Sequence, residues 1–109
     1  MSHVKGCAYK LMLMWIADSL RDEAQKWKAL GDPARWRIFC ALAQGPRSVS
    51  ALCEELDTYQ SQVSGHLAVL RGVGLVEASR SGYFNVYRVD GRVLELLSER
   101  LRELSRHSR

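Results

Sequence analysis

Apolar residues recur at helical spacing through most of this chain, and Gly, Pro and Asp punctuate the runs. From Lys10 to Leu30 neither Pro nor Gly occurs, which predicts one long helix. Met12, Ile16, Leu20, Trp27 and Leu30 share one face, but between Leu11 and Ala17 the helix is apolar all round. A surface helix carries a single stripe, so this end needs cover on two sides, and a second subunit is the simplest cover for so short a chain. Gly31-Asp32-Pro33 ends that helix and starts the next, because Asp is a good N-cap and Pro suits the first helical position. The second helix runs through Trp36, Ile38, Phe39 and Leu42 and stops near Gly45-Pro46. Ser48 caps a short third helix with Val49, Leu52, Cys53 and Leu56 at i, i+3, i+4 and i+7. Asp57-Thr58 is a turn. A fourth helix follows from Tyr59 or Gln60 to Gly72, with Val63, Leu67 and Leu70 inward and Thr58 as its expected cap.

After Gly74 the pattern changes from helical to extended. Leu75–Ser79 and Phe84–Val89 are β-prone and flank Arg80-Ser81-Gly82-Tyr83, where Gly permits a positive-φ turn. Asp90 caps a last helix with Val93, Leu97, Leu101 and Leu104 on one stripe. The fold expected is mainly α with a β-hairpin wing, in the order ααααββα. Residues 1–109 are expected to form one domain, with flanking helices at 10–30 and 91–105, a helix-turn-helix at 48–72 and a wing at 75–89.

A winged helix-turn-helix points to double-stranded DNA. A helix of about 13 residues is some 20 Å long and fits the major groove. Gln60, Ser61, Gln62, Ser64 and His66 lie near its exposed N-terminal part, where such a helix meets base edges. Gln pairs bidentately with adenine, and Ser or His bonds bases or phosphates. Arg71 at the helix end suits a phosphate or the helix dipole, and Arg80 and Tyr83 on the wing complete the expected DNA contacts. Trp15, Trp27 and Trp36 recur on helical faces and read as core or interface.

Charge supports the partner but not its place. The chain has 109 residues, 47% hydrophobic and 26% charged, with a net charge of +4, which favours a polyanion. Yet residues 48–76 contain one cation, Arg71, against Glu54, Glu55 and Asp57, and the surplus sits on the flanking helices. That deficit, with exposed aromatics at Tyr83 and Phe84, leaves a rival reading: a winged-helix protein–protein interaction module without specific DNA binding. Phe84 is equally suited to pack inward.

Two segments carry a family resemblance. Lys28-Ala29-Leu30-Gly31-Asp32-Pro33-Ala34-Arg35-Trp36-Arg37-Ile38-Phe39 resembles the "ALADPTRLRIL" opening of the ArsR/SmtB repressors. Gln60-Ser61-Gln62-Val63-Ser64-Gly65-His66-Leu67-Ala68-Val69-Leu70-Arg71 is similar to their "SQSTVSHHLRVLR" recognition helix. Gly74-Leu75-Val76 and Gly82–Tyr87 match their wing, so the resemblance runs from about Trp27 to Val89. It implies a homodimer held by the first and last helices, bound to an inverted-repeat operator and repressing transcription.

The departures from that pattern narrow what the chain senses. Where the family often has Cys-x-Cys, this chain has Ser48 and Ser50, and its last helix lacks the usual carboxylate and His ligands. No metal and no cofactor are expected. Gly65 replaces a family His and costs about 1 kcal/mol of helix propensity, which fits either close backbone approach to DNA or a tolerated surface glycine. The candidate thiol sensors are Cys7, Cys40 and Cys53, for arsenite, persulfide or an oxidant. Cys53 lies on an apolar stripe and reads as core. Cys40 resembles the first Cys of the family's persulfide- and redox-sensing branch, whose second Cys on the last helix is missing here. Three widely spaced Cys argue for a reducing compartment. His3, His66 and His107 are scattered and no phosphate loop occurs, so no enzyme is expected. The run Leu11–Ala17 is at the short limit for a signal-peptide core and far too short for a membrane span, so the chain is expected in the cytoplasm, away from membranes.

Overall fold

The computed structural model describes residues 19–108. Cys7, Trp15, His3 and the apolar run Leu11–Ala17 lie outside the described residues. Helix α1 covers 19–30 of these, followed by α2 (Pro33–Ala43), β1 (Arg47–Ser48), α3 (Val49–Leu56), α4 (Gln60–Gly72), β2 (Val76–Ser81), β3 (Phe84–Val89) and α5 (Gly91–His107). The helices and the hairpin fall where the pattern placed them. The sheet, however, has three antiparallel strands in the order β1-β3-β2, because Arg47 and Ser48 pair with Tyr87 and Val86. The wing's first strand also starts one residue later and runs two residues further than expected.

Local chemistry sets each boundary. Asp32 accepts from the N–H groups of Ala34 (2.8 Å) and Arg35 (3.2 Å), and Pro33 follows it as first helical residue. Arg35 reaches back to the carbonyl of Ala29 (2.7 Å), so one Asp–Arg pair closes α1 and opens α2. Ser48 accepts from Ala51 N–H at the start of α3. Helix α3 ends on Asp57, which takes the left-handed conformation (φ 52°) that Asp tolerates better than most residues. Helix α4 ends in a Schellman motif: Gly74 (φ 82°) donates to Arg71 and Leu75 donates to Leu70. Gly82 (φ 63°) starts the two-residue turn between β2 and β3.

The core gathers where α2, α3, α4 and the sheet meet. Ile38, Leu52, Val63, Leu67, Leu70 and Leu75 are almost fully buried, each stabilising by about 1.5–3 kcal/mol. The Schellman turn also packs Leu75 against this core. Outside it, burial falls away. On α5 only Leu97 of the predicted stripe is buried and Val93 half-buried, whereas Leu101 and Leu104 are exposed. Trp27 is half-buried and donates to Glu23 (3.2 Å). Trp36, expected as core or interface, is not core: half its surface is open, and its ring stacks beside Phe39.

Candidate nucleic-acid interface

The helical period of α4 sorts its residues into two faces. Val63, Leu67 and Leu70 anchor the inner face, and Ser61, Gly65, Ala68 and Gly72 are exposed on the opposite side. That outer ridge has only small side chains, so the helix backbone can sit close to whatever it faces. Among the described residues, nothing outside the helix's own adjoining backbone lies within 4 Å of a Cβ added at Gly65, so packing among them does not require glycine there. Exposed Gln62 and Val69 flank the ridge on one side and exposed Ser64 and Arg71 on the other. Val69 is an apolar member of this surface that pattern reading passed over, although its spacing from Gln62 already put it outside.

At the N-terminus of α4 the expected cap is not the one found. Tyr59 holds the N-cap position and provides no side-chain cap. The Thr58 hydroxyl instead donates to Oε1 of Gln62 at 2.7 Å, a full helical turn on. The backbone N–H groups of Gln60 and Ser61 therefore have no side-chain acceptor, and they add to the partial positive charge of the helix start.

His66 is placed differently from its neighbours in the motif. It is half-buried and lines a cavity of about 50 Å³ between α2 and α4, together with Arg37, Thr58 and Gln62. The Asp32 carboxyl is held below the usual carboxylate range chiefly by the Arg35 N–H, against partial desolvation. The Ala34 N–H, the Arg35 guanidinium and, least, the His66 imidazole add to the lowering.

The wing extends the surface with Tyr83 at its tip, 93% exposed, and Phe84, 62% exposed rather than packed inward. Arg80 is exposed but bent onto the turn, donating to the carbonyl of Gly82 (3.3 Å). The wing tip thus presents aromatic rings beside a cation. Arg71 stands exposed in the last turn of α4.

The described cysteines diverge: Cys40 faces solvent on α2, and Cys53 is half-buried against the core. Among the described residues no group of three or more His, Cys, Asp or Glu is placed to hold a metal. Ser48, where a thiolate ligand would stand in the family pattern, is used as a helix cap.

Comparison with known proteins joins these features. Residues 32–78 match the family model described as bacterial regulatory protein, arsR family. The chain is 40% identical over 76 residues to an uncharacterized HTH-type transcriptional regulator of Methanocaldococcus jannaschii, covering 68% of this chain and 85% of that protein. It is 42% identical over 77 residues to the HTH-type transcriptional regulator NmtR of Mycobacterium tuberculosis, covering 70% of this chain and 64% of that one. Its fold superposes on an ArsR-like transcriptional regulator from Rhodococcus with a TM-score of 0.74 at 28% identity, covering 81% and 83% of the two chains. A homodimeric winged helix-turn-helix DNA-binding domain from Mycobacterium bovis gives a TM-score of 0.69 at 32% identity, covering 85% and 87%. The matched segment holds α2 with its cap, α3, the turn, α4 and the start of the wing's first strand, and these proteins are transcriptional regulators rather than enzymes. The chain belongs to the ArsR family of bacterial regulatory proteins.

Proposed function

We propose that this chain is a homodimeric, sequence-specific DNA-binding repressor that reads an inverted-repeat operator through α4. The carrying observation is the division of α4: Val63, Leu67 and Leu70 are buried in the core, and its N-terminal Gln60, Ser61, Gln62 and Ser64 stand exposed around a ridge of small side chains. The uncapped start of α4 and the exposed Arg71 suit backbone phosphates, and Arg80 and Tyr83 suit the duplex beside the groove. His66, turned toward α2, acts at the edge of this surface, against a phosphate.

The dimer rests on an independent feature. Between α1 and α5 runs a groove of about 420 Å³, lined by Glu23, Leu96, Leu97 and Arg100 among others, with exposed Leu20, Leu101 and Leu104 nearby. Leucines at this spacing call for a cover, and a second copy offers the same helices by two-fold symmetry. Dimerisation also doubles the net charge of +4, which raises attraction for DNA where α3 and α4 carry a single cation, Arg71. No described helix is long and apolar enough to cross a membrane, and a DNA reader of this kind works in the cytoplasm.

The signal that releases the operator is unidentified, and a thiol-reactive one is the candidate that the cysteines offer. Exposed Cys40 is the accessible described thiol, with Cys7 and Cys53 as its candidate partners. Arsenite, persulfide or peroxide then lowers operator binding, and the Cys→Ser variants lose that response. Release that no Cys→Ser variant alters discards thiol sensing. DNA binding itself is tested by titrating the protein's own promoter region with rising salt. A specific complex whose affinity falls with salt is expected. A second reading, a protein-docking winged helix, is favoured by Glu54, Glu55 and Asp57 around the turn and by the exposed Tyr83–Phe84 tip. Absence of any specific complex at low salt supports that reading instead.

A further inference from the structure

We infer that Thr58 is a positioning residue for base recognition: it holds the Gln62 amide so that only its NH₂ group faces the groove, which sets a preference for guanine over adenine at that base. The inference rests on α4 being the DNA-reading helix. It follows from one hydrogen bond and from what holds that bond's donor in place.

Thr58 is not a free surface residue. Its own N–H donates to the Cys53 carbonyl (3.1 Å) and so completes the end of α3, immediately after Asp57 turns the chain in the left-handed conformation. With the backbone anchored at this turn, the hydroxyl has the Gln62 amide within reach and donates to its Oε1 at 2.7 Å. The carbonyl end of the Gln62 amide therefore points back at the α3–α4 turn. Recognition of adenine by a glutamine needs the carbonyl and the NH₂ side by side on the same base, accepting from N6 and donating to N7. Oε1 keeps a second lone pair, but with the carbonyl directed at Thr58 and the α3–α4 turn, presenting that pair means swinging the amide away from the 2.7 Å bond, which disfavours adenine. What remains is a two-proton donor with no partner among the described residues, and beside it Arg37, which also brings only donors.

A donor-only group matches the major-groove edges by simple complementarity. Guanine offers two adjacent acceptors, O6 and N7, and cytosine sets its N4 donor against the NH₂. Adenine offers N7 beside a donor, and thymine a single acceptor. The order expected is guanine first and cytosine last. The tether also removes rotamer freedom from a long side chain before DNA arrives, so less ordering is needed on binding. The sequence expectation for Gln62, bidentate pairing with adenine, is thereby replaced by a reading that only the side-chain geometry supplies.

The test uses the full-length chain. A pool of randomised DNA duplexes is selected with wild type, and the best site is then made with each of the four bases at every contacted position. Affinities are measured by fluorescence anisotropy for wild type, Thr58→Val, Thr58→Ser and Gln62→Ala, with the melting temperature of each variant as a check on folding. Wild type is expected to favour guanine over cytosine at one position by about fivefold or more. Gln62→Ala levels the four bases there. Thr58→Val frees the carbonyl, so adenine rises to equal or exceed guanine, while Thr58→Ser keeps the wild-type order. Wild-type base order in a folded Thr58→Val or Gln62→Ala protein overturns the inference and leaves DNA reading intact. Failure of wild type to select any site overturns the DNA-binding reading and this inference with it.

Discussion

Helices α4 and α5 are both patterned with leucine and valine, yet they dispose of them in opposite ways. In α4, Val63, Leu67 and Leu70 are buried, and apart from Val69 the exposed side chains are small, polar or charged. In α5, 17 residues long, only Leu97 is buried, and Leu94, Leu96, Leu101 and Leu104 remain at least partly open to solvent. The first helix is energetically complete within one chain. The second is not, and its ion pairs do not change that: Glu23–Arg100 (3.0 Å) and Arg102–Glu99 (3.0 Å) are largely at the surface, where such pairs contribute little. The comparison teaches that the unit proposed to face DNA and the unit proposed to dimerise are separable in physical origin. One is defined by what its core excludes from the surface, the other by what its surface still has to cover.

The largest effect should come from within the closed unit. Leu52→Ala removes a fully buried side chain from the junction of α2, α3 and α4 and should cost about 2–5 kcal/mol in denaturant unfolding. Its cost should be the same at low and high protein concentration, since the lesion lies inside one chain. Next comes the open unit. Leu101→Glu should leave the folded chain intact but weaken self-association by about 2 kcal/mol or more, seen by sedimentation as monomers at concentrations where wild type is dimeric. A Leu101→Glu protein that stays dimeric would erase the distinction between the two helices.

Smaller effects sharpen the boundary. Ser48→Ala should cost about 1 kcal/mol by uncapping α3, because the hydroxyl serves the helix. The smallest is a pH effect at Asp32. Its folded carboxyl titrates below its unfolded value, chiefly through the Arg35 N–H, so its contribution is fully present above the usual carboxylate range. That contribution is lost as pH falls through the lowered folded value. Asp32→Asn keeps a side-chain oxygen for the cap without this titration, so its melting temperature should fall less than that of wild type between about pH 5 and pH 2.

Much of this architecture was legible because it is written locally. Asp32-Pro33, Ser48, Val73-Gly74-Leu75 and Asp90 each fix a helix end by chemistry within five residues, and the apolar spacing of α4 names its inner face. What escaped was non-local or finer than residue type. Strand β1 exists only because Arg47 and Ser48 meet Tyr87 and Val86, some forty residues away, which no local signal announces. The role of Thr58 depends on where a hydroxyl points, and both of its candidate partners, the helix N-terminus and Gln62, fit the sequence equally well. The inward turn of His66 was readable: it stands three residues after Val63, on the side that α2 covers. For Cys7 and the start of the first helix, the expectations stand as sequence readings.

The central claim is that two copies of α4, held apart by the open helices of the dimer, read two halves of one duplex. The most direct test is binding of the full chain, at fixed salt, to a selected inverted-repeat duplex and to the same duplex with one half-site scrambled. The account predicts two chains on the intact duplex and an affinity lower by about tenfold or more when one half is lost. Equal affinity for the two duplexes would contradict it.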